Sequence, residues 1–421
     1  MKKSYFGAIV VFTLMLFVGC GKKEEEKLKI CVNSTNQAAI NILVGEWQEL
    51  EEGSEVELIV LPTDKDEAEM KLSELRTEVM AGKGPDIFLL ECVRPEYEES
   101  DNGLFVDLEK TMETGLFLPL DEYIKNAKYI DTSGWNQTVL DAGKTEEGQV
   151  VLPLYYYLPA YVFESSNLSE QEVPGSWEEL MTSENPVLKN AVKEQMFSYF
   201  TYSFGNLADY QAGTLTFSEE ELKGYMEEFL TFEIAVNAQE DMQSLPEPIA
   251  GGWTSGEFFY SGVGRAAGEE LTYVSIPNRE GSVTAMVTMF AALNKNTTRA
   301  EEAFSFLDYI LRDEVTSGSG FMIEDKHYGG GIDLNPDPSG EGITVNQKVF
   351  EESYCKNDKV KTAFETLNDR IECVRFYSVL DRDLSNLRDD VRVMSYTSED
   401  TSYIGDLVKT TYETMKMRIA E

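Results

Sequence analysis

The sequence predicts an α/β protein built as two lobes. The chain has 421 residues, 42% of them hydrophobic and 11% aromatic, which is more than one hydrophobic core ordinarily sustains. From residue 28 to residue 90 it alternates strand and helix patterns at the spacing of a βαβ layer. Glycine and proline, 31 and 13 in number, are too few to indicate disorder over most of the length.

The elements follow from local periodicity. Leu28 to Asn33 reads as an apolar strand that ends in the polar loop Asn33 to Gln37. Ile40, Leu43, Val44 and Trp47 then recur at helical spacing, and Gly53 and Ser54 close that helix. Val56 to Leu61 is a second strand. Ala68, Leu72, Leu75 and Val79 mark a second helix, with a capping box expected from Asp64 and Glu67 and a stop at Gly82. Pro85 to Leu90 is a continuous apolar run, the pattern of a strand covered on both faces, and the layer is expected to be largely parallel. Further along, Ser218 with Glu221 and Thr298 with Glu301 have capping-box spacing. The first precedes Leu222, Met226 and Phe229, the second Ala303, Phe304, Leu307 and Ile310. Residues 325–342, rich in Gly, Pro and Asp, read as loop, and Tyr403 to Ala420 as a terminal helix with Ile404, Val408, Thr411, Met415 and Ile419 at helical spacing.

The N-terminus carries an address. Lys2 and Lys3 precede an apolar stretch from Tyr5 to Val18 that ends at Gly19-Cys20. A basic start, a short apolar core and small residues at the break make a secretory signal, and the stretch is short for a transmembrane helix. Cys20 stands where a bacterial lipobox places its lipid-bearing cysteine, although Phe17 occupies the usual Leu position. Residues 1–19 are therefore expected to be removed, with residues 20–27 as a lipidated, charged tether. This puts the body outside the cytoplasmic membrane.

Charge narrows the partners. With 36 basic and 76 acidic residues the formal net charge is −40, which repels phosphate backbones and anionic headgroups and argues against nucleic-acid binding. Most of these carboxylates read as a solvated surface. The remaining cysteines, Cys31, Cys92, Cys355 and Cys373, match no metal-ligand spacing. They are read as mostly buried free thiols, with disulfides left open.

A set of short motifs runs in order along the chain. Gly82-Lys-Gly-Pro-Asp-Ile87 resembles the GxxPDI signature of extracellular solute-binding proteins of the maltose-binding-protein type. Glu147 to Pro153, Ala160 to Glu164, Pro174 to Leu180, Thr272 to Pro277, Thr288 to Leu293 and Ala300 to Leu307 are similar to later strands and helix starts of that family. Each is weak alone; their order, their spacing and the lipobox make the resemblance specific over nearly the whole mature chain.

The resemblance implies a type II periplasmic-binding-protein-like fold, with the ligand in a cleft between lobes joined by crossing strands. On that basis lobe 1 is placed at 28–156 plus 287–330, and lobe 2 at 157–286 plus 331–421. It implies the substrate-binding component of an ABC importer: a monomer that takes a sugar, hands it to permease subunits and needs no cofactor. Sugars want flat apolar partners for their C–H faces and fixed donors and acceptors for their hydroxyls. Tyr155 and Tyr156 at the first crossing, Tyr199 and Tyr202, Trp253 among glycines, Tyr260, and Tyr377 after Phe376 are the aromatic candidates. Asn36, with Thr35, and Glu91 are the polar ones. The same residues have plainer readings, the tyrosines as core packing and Asn36 as a helix N-cap.

Catalytic signals are sparse. His327 is the sole histidine, so no HExxH zinc motif can form, and no Gly-x-Ser-x-Gly elbow occurs. Gly262 to Gly268 looks superficially like a dinucleotide loop, but its third glycine is one residue late and a strand, not a helix, follows. A paired-carboxylate enzyme, a surface lipoprotein without a transporter, and a binding protein for a peptide or another polar solute remain as alternatives.

Overall fold

The computed structural model describes residues 27–62, 65–92, 103–238, 248–253, 270–332, 334, 342–397 and 400–420. The signal segment, Cys20, Asp64 of the expected capping box and the glycine-rich stretch 262–268 lie outside the described residues.

The chain opens with β1 (Leu28–Asn33), α1 (Gln37–Leu50), β2 (Val56–Leu61), α2 (Lys65–Met80) and β3 (Ile87–Glu91). Ile40, Leu43, Val44 and Trp47 are all buried on one stripe of α1, and Ala68, Leu72, Leu75 and Val79 on one stripe of α2. Gly82 ends the second helix at φ +70°, a conformation that glycine adopts without a Cβ penalty. Short helices α3 (Leu108–Glu113), α4 (Asp121–Lys125) and α5 (Gln137–Asp141) and the ribbon β4 (Lys144–Thr145) with β5 (Gly148–Gln149) lead to β6 (Val151–Tyr157). After Leu158 the chain runs on as β7 (Pro159–Glu164).

The middle of the chain holds α6 (Trp177–Thr182), α7 (Pro186–Phe197), a 3-10 turn at Phe200–Ser203, the ribbon β8 (Ala208–Asp209) with β9 (Thr214–Leu215), α8 (Glu219–Asn237), β10 (Ala250–Trp253) and β11 (Leu271–Ser275). The long strand β12 (Val283–Leu293) is followed by α9 (Ala300–Ile310), α10 (Asp313–Thr316), a hairpin of β13 (Phe321–Ile323) with β14 (Lys326–Tyr328), and β15 (Ile343–Thr344). Helices α11 (Gln347–Tyr354) and α12 (Asp358–Asn368), strand β16 (Ile371–Phe376), and helices α13 (Val379–Ser395) and α14 (Tyr403–Ala420) complete the fold.

Two sheets organise these elements. The large one has the order β15-β6-β12-β3-β1-β2, with β16 also on β12; the small one is β10-β7-β11. β1 is parallel to β2 and β3, and β16 to β12, whereas β12 runs antiparallel to both β3 and β6. The sheet is thus mixed where the sequence suggested a largely parallel one, because the return strand enters it from the other lobe. On β7, Tyr161 and Phe163 face one hydrophobic cluster, formed by α6, α7, α8, α13 and α14, while Ala160 and Val162 face the other. The small sheet is therefore covered on both sides.

Some sequence expectations change. Residues 331–421 were all placed in the second lobe, yet Ile343–Thr344 pairs with Tyr155 and Tyr156 in the large sheet, and Ile371–Phe376 also joins that sheet. Ser218 and Glu221 form the expected capping box on α8. Thr298 and Glu301 do not: the cap of α9 is Arg299 without a side-chain bond, and Thr297 turns its hydroxyl to Asp86 instead. Part of 325–342 is strand rather than loop, since Lys326 to Tyr328 pairs back on Phe321 to Ile323. The four described cysteines are free, three of them buried and Cys355 half-buried. His327 is exposed, with its ring 3.0 Å from the Ser319 carbonyl.

Trp177, from the segment Pro174 to Leu180, has a structural task. Arg279, in the turn between β11 and β12, lies with its guanidinium 4.6 Å from the Trp177 ring and 4.1 Å from the Tyr225 ring, and pairs with Glu228 at 2.5 Å. The desolvated cation between π faces ties the entry of β12 to α6 and α8. Replacing Arg279 by Met should cost about 2 kcal/mol. A fall in the urea midpoint with an unchanged slope would confirm the cost, and an unaltered midpoint would contradict it.

Candidate ligand cleft

The strand β12 gathers the first group of candidate residues around Met289. Glu91 is its register partner on β3, and Tyr155 its register partner on β6. Directly opposed residues on neighbouring strands project from the same face, so Glu91, Met289 and Tyr155 lie side by side. Asn36 closes the group from the loop after β1, where its amide lies 3.9 Å from the Met289 sulfur. Its side chain makes no helix cap. The Glu91 amide donates to the Asn33 side chain at 2.8 Å, and the Thr35 hydroxyl donates to the Glu91 carboxylate. Asn36 and Tyr155 are buried, Glu91 is half-buried and Thr35 exposed. A solute can therefore touch Thr35 and Glu91 directly, with Asn36 and Tyr155 supporting them.

Tyr156 belongs elsewhere. Successive strand residues face opposite sides, and Tyr156 is fully buried with its hydroxyl bonded to Asn368 and 3.5 Å from the Asn136 amide. It is a core tyrosine that fastens β6 to α12 and α5, which corrects its assignment as a ligand contact.

The second group hangs from the other end of β12. Thr284 donates to the Phe204 carbonyl at 2.6 Å, the Arg279 amide to the Ser203 carbonyl at 2.8 Å, and buried Arg375 on β16 to the Thr201 carbonyl at 2.7 Å. These bonds hold the 3-10 turn that carries Tyr199 and Tyr202, whose rings meet edge to face at 6.1 Å. Tyr202 is buried and Tyr199 half-buried, so Tyr199 is the ring within reach of a ligand. Beside them stands Tyr161 on β7, which the sequence reading did not single out. Its hydroxyl is buried with no hydrogen-bond partner among the described residues, and burial, with Glu194 and Tyr199 nearby, raises its pKa well above the usual value. No local pattern marks it, but the fold shows why glycine stands opposite: Gly251 pairs with Tyr161 across the sheet, and a Cβ there would meet the Tyr161 ring at 2.2 Å. Tyr377 is half-buried and precedes Ser378, the N-cap of α13. Trp253 ends β10 opposite Pro159; its side chain, and Tyr260 altogether, lie outside the described residues.

Between the groups, α3 bridges the two clusters. Leu108 and Met112 pack in the first cluster. From the same helix the Glu109 carboxylate accepts the Phe376 amide at 3.0 Å, Asp107 accepts the Tyr210 hydroxyl at 2.6 Å, and Lys110 donates to the Arg418 carbonyl at 2.6 Å. The Val379 amide reaches back to the Val106 carbonyl at 3.0 Å. Behind them Arg375 and Asp381 form a buried pair at 2.9 Å. Burial outweighs the Phe376 bond and pushes the Glu109 carboxyl up to about 7, with Asp107 and Asp381 adding to the rise and Arg375 opposing it. Asp107 is also raised, by burial. Among the described residues no three His, Cys, Asp or Glu side chains converge as a metal site requires, and no helix is long and apolar enough to cross a membrane.

The comparisons with known proteins bear on the family and the fold. The family model described as bacterial extracellular solute-binding protein matches residues 32–317. The chain belongs to that family. It is a family of binding proteins, and the structural neighbours share the two-lobe fold. A family 1 solute-binding protein from Alicyclobacillus acidocaldarius superposes with a TM-score of 0.54 at 14% identity, covering 94% of this chain and 99% of the other. A solute-binding protein from Thermotoga lettingae, bound with α-D-tagatose, gives 0.53 at 15% identity, covering 94% and 100%. A periplasmic oligogalacturonide-binding protein from Yersinia enterocolitica gives 0.55 at 11% identity, covering 93% and 99%. No curated protein sequence matches the chain at a comparable level.

Glu109 makes the attachment of α3 to β16 pH-dependent. Its folded pKa, about 7, lies above the ordinary 4.5, so its contribution is fully present below 4.5 and is lost as pH rises through 7. The Glu109→Gln variant keeps an acceptor for the Phe376 amide without the charge. It should therefore gain stability relative to the parent as pH rises from 4.5 to about 7, by up to about 1.4 kcal/mol per unit. A difference in unfolding free energy that stays flat across this range would contradict the assignment.

Proposed function

We propose that the protein is the extracytoplasmic substrate-binding component of an ABC importer, capturing a carbohydrate, an oligosaccharide rather than a single ring, between its lobes. The observation that carries this reading is the placement of two ligand-competent groups on one strand. Thr35 and Glu91 gather near Met289, while the Tyr199–Tyr202 turn is held from Thr284. Met289 lies five residue steps from Thr284 along the strand, a span of about 17 Å, which is wider than one hexose. Carboxylate and hydroxyl at one end and an aromatic edge at the other suit a ligand with hydroxyls and flat C–H faces. The sugars named for the Thermotoga and Yersinia proteins support the same ligand class.

Closure brings Tyr199 toward Glu91 only when a ligand fills the space between, so binding shifts an open–closed population. Trp253, Tyr260 and Tyr377 are further aromatic candidates for contact with the ligand. The closed form is delivered to permease subunits, and ATP is hydrolysed by a separate cytoplasmic subunit. Removal of residues 1–19 and lipidation of Cys20 hold the body at the outer face of the cytoplasmic membrane, where it acts as a monomer. No catalytic step and no cofactor enters this account.

Thermal unfolding against a panel of mono- and oligosaccharides tests the reading. A saccharide at a hundred times its Kd adds about 2.7 kcal/mol of stability. One oligosaccharide should raise the midpoint selectively, and Tyr199→Ala or Glu91→Gln should abolish most of the rise. A panel without any shift, answered instead by peptides or amines, would replace the carbohydrate reading.

A further inference from the structure

A second cavity lies in the first lobe, away from the cleft. α1 begins beside Asn36 and runs 14 residues to Leu50, about 20 Å, and the cavity opens where that helix ends, against α4 and α9. Its volume is about 440 Å³, within the range of small-molecule sites. Phe304, buried on α9, forms the floor with Tyr123 of α4, their rings 5.3 Å apart. Tyr129 forms a wall, its hydroxyl donating to Glu51 at 2.6 Å.

The lining is acidic as well as aromatic. Glu51, Glu122, Glu301 and Asp308 line it against a single ammonium, Lys128. Glu51 is answered by Lys128 at 2.7 Å. Asp308 is answered by the amides of Lys128, Tyr129 and Ile130 at 2.7 to 3.0 Å. The rim keeps its negative charge: Glu122 has only the long 3.4 Å contact to Lys125, and exposed Glu301 has no ion pair with another described residue. Among the described residues these carboxylates do not converge as a metal site requires. A neutral sugar would leave the rim charge unanswered, and an anion would be repelled. A cation with an apolar body meets both features, its charge at the rim and its body on π faces.

We propose that this cavity binds an organic cation, an amine or quaternary ammonium carrying an apolar group. The cation rests on Phe304 and Tyr123 with its charge toward Glu301 and Glu122, independently of whatever fills the cleft. Isothermal titration of the protein with benzyltrimethylammonium tests this. Saturable binding is expected, and the double variant Glu122→Gln, Glu301→Gln should weaken it by at least about threefold. Both positions are exposed, so folding is not at stake. Tyr199→Ala in the cleft should leave the affinity unchanged. No saturable heat into the millimolar range, an affinity altered less than threefold by the double variant, or a loss caused by Tyr199→Ala would each overturn the proposal.

Discussion

Everything functional in this molecule depends on β12, a strand with all eleven residues buried. Its outer half pairs with β3 and β6 in the first lobe, and its inner half with β16 and the end of β6. At Met286 and Val287 the strand is paired with β6 and β16, and from Met289 to Ala292 with β3 and β6, so a register slip there would move its side chains to the wrong face. It thereby holds Glu91, Asn36 and Tyr155 at one end and the Tyr199–Tyr202 turn at the other. The two hang from opposite ends of one strand and lie beside different hydrophobic clusters. That arrangement allows the lobes to move while the site geometry on each side stays intact.

Buried charges gather near the crossing between the lobes. Arg375 is buried against Asp381 and also holds the Thr201 carbonyl, although its Nε has no partner among the described residues. Buried pairs of this kind contribute little net stability but specify one arrangement, since removing either partner leaves a charge without compensation. α3 adds bonds from the other lobe through Asp107, Glu109 and Lys110. Sequence-distant backbone and side chains meet there, and a titrating carboxyl sits among them. The region between the two clusters is thus rich in polar contacts, whereas the clusters themselves are apolar packing.

The sequence made local facts legible and long-range ones less so. Helical stripes such as Ile40, Leu43, Val44 and Trp47 were readable because burial follows a period fixed by the backbone. The Ser218 box was readable because its two bonds close within one turn. The Thr298 box failed because the helix starts one residue later than its spacing implies, with Arg299 at the N-cap and the preceding turn held by Thr297 on Asp86. Tyr155 and Tyr156 could not be told apart, since strand parity is set by the partners on β12 and β15 and three tyrosines in a row hide it. Asn36 was read as a cap or a ligand contact; its burial against Met289 makes it a support for Glu91's neighbourhood, and no local pattern announces that. Tyr161 was missed because its burial beside Tyr199 and Glu194 is set by residues distant in sequence.

The central claim is that two lobes joined through β12 close on a saccharide held between Glu91 and Tyr199. Small-angle X-ray scattering of the protein with and without the oligosaccharide that raises its melting midpoint tests this most directly. The account predicts a contraction of the radius of gyration at saturation, absent when Tyr199 is replaced by Ala. An unchanged radius at full occupancy would contradict capture by closure and place the bound sugar outside the space between the lobes.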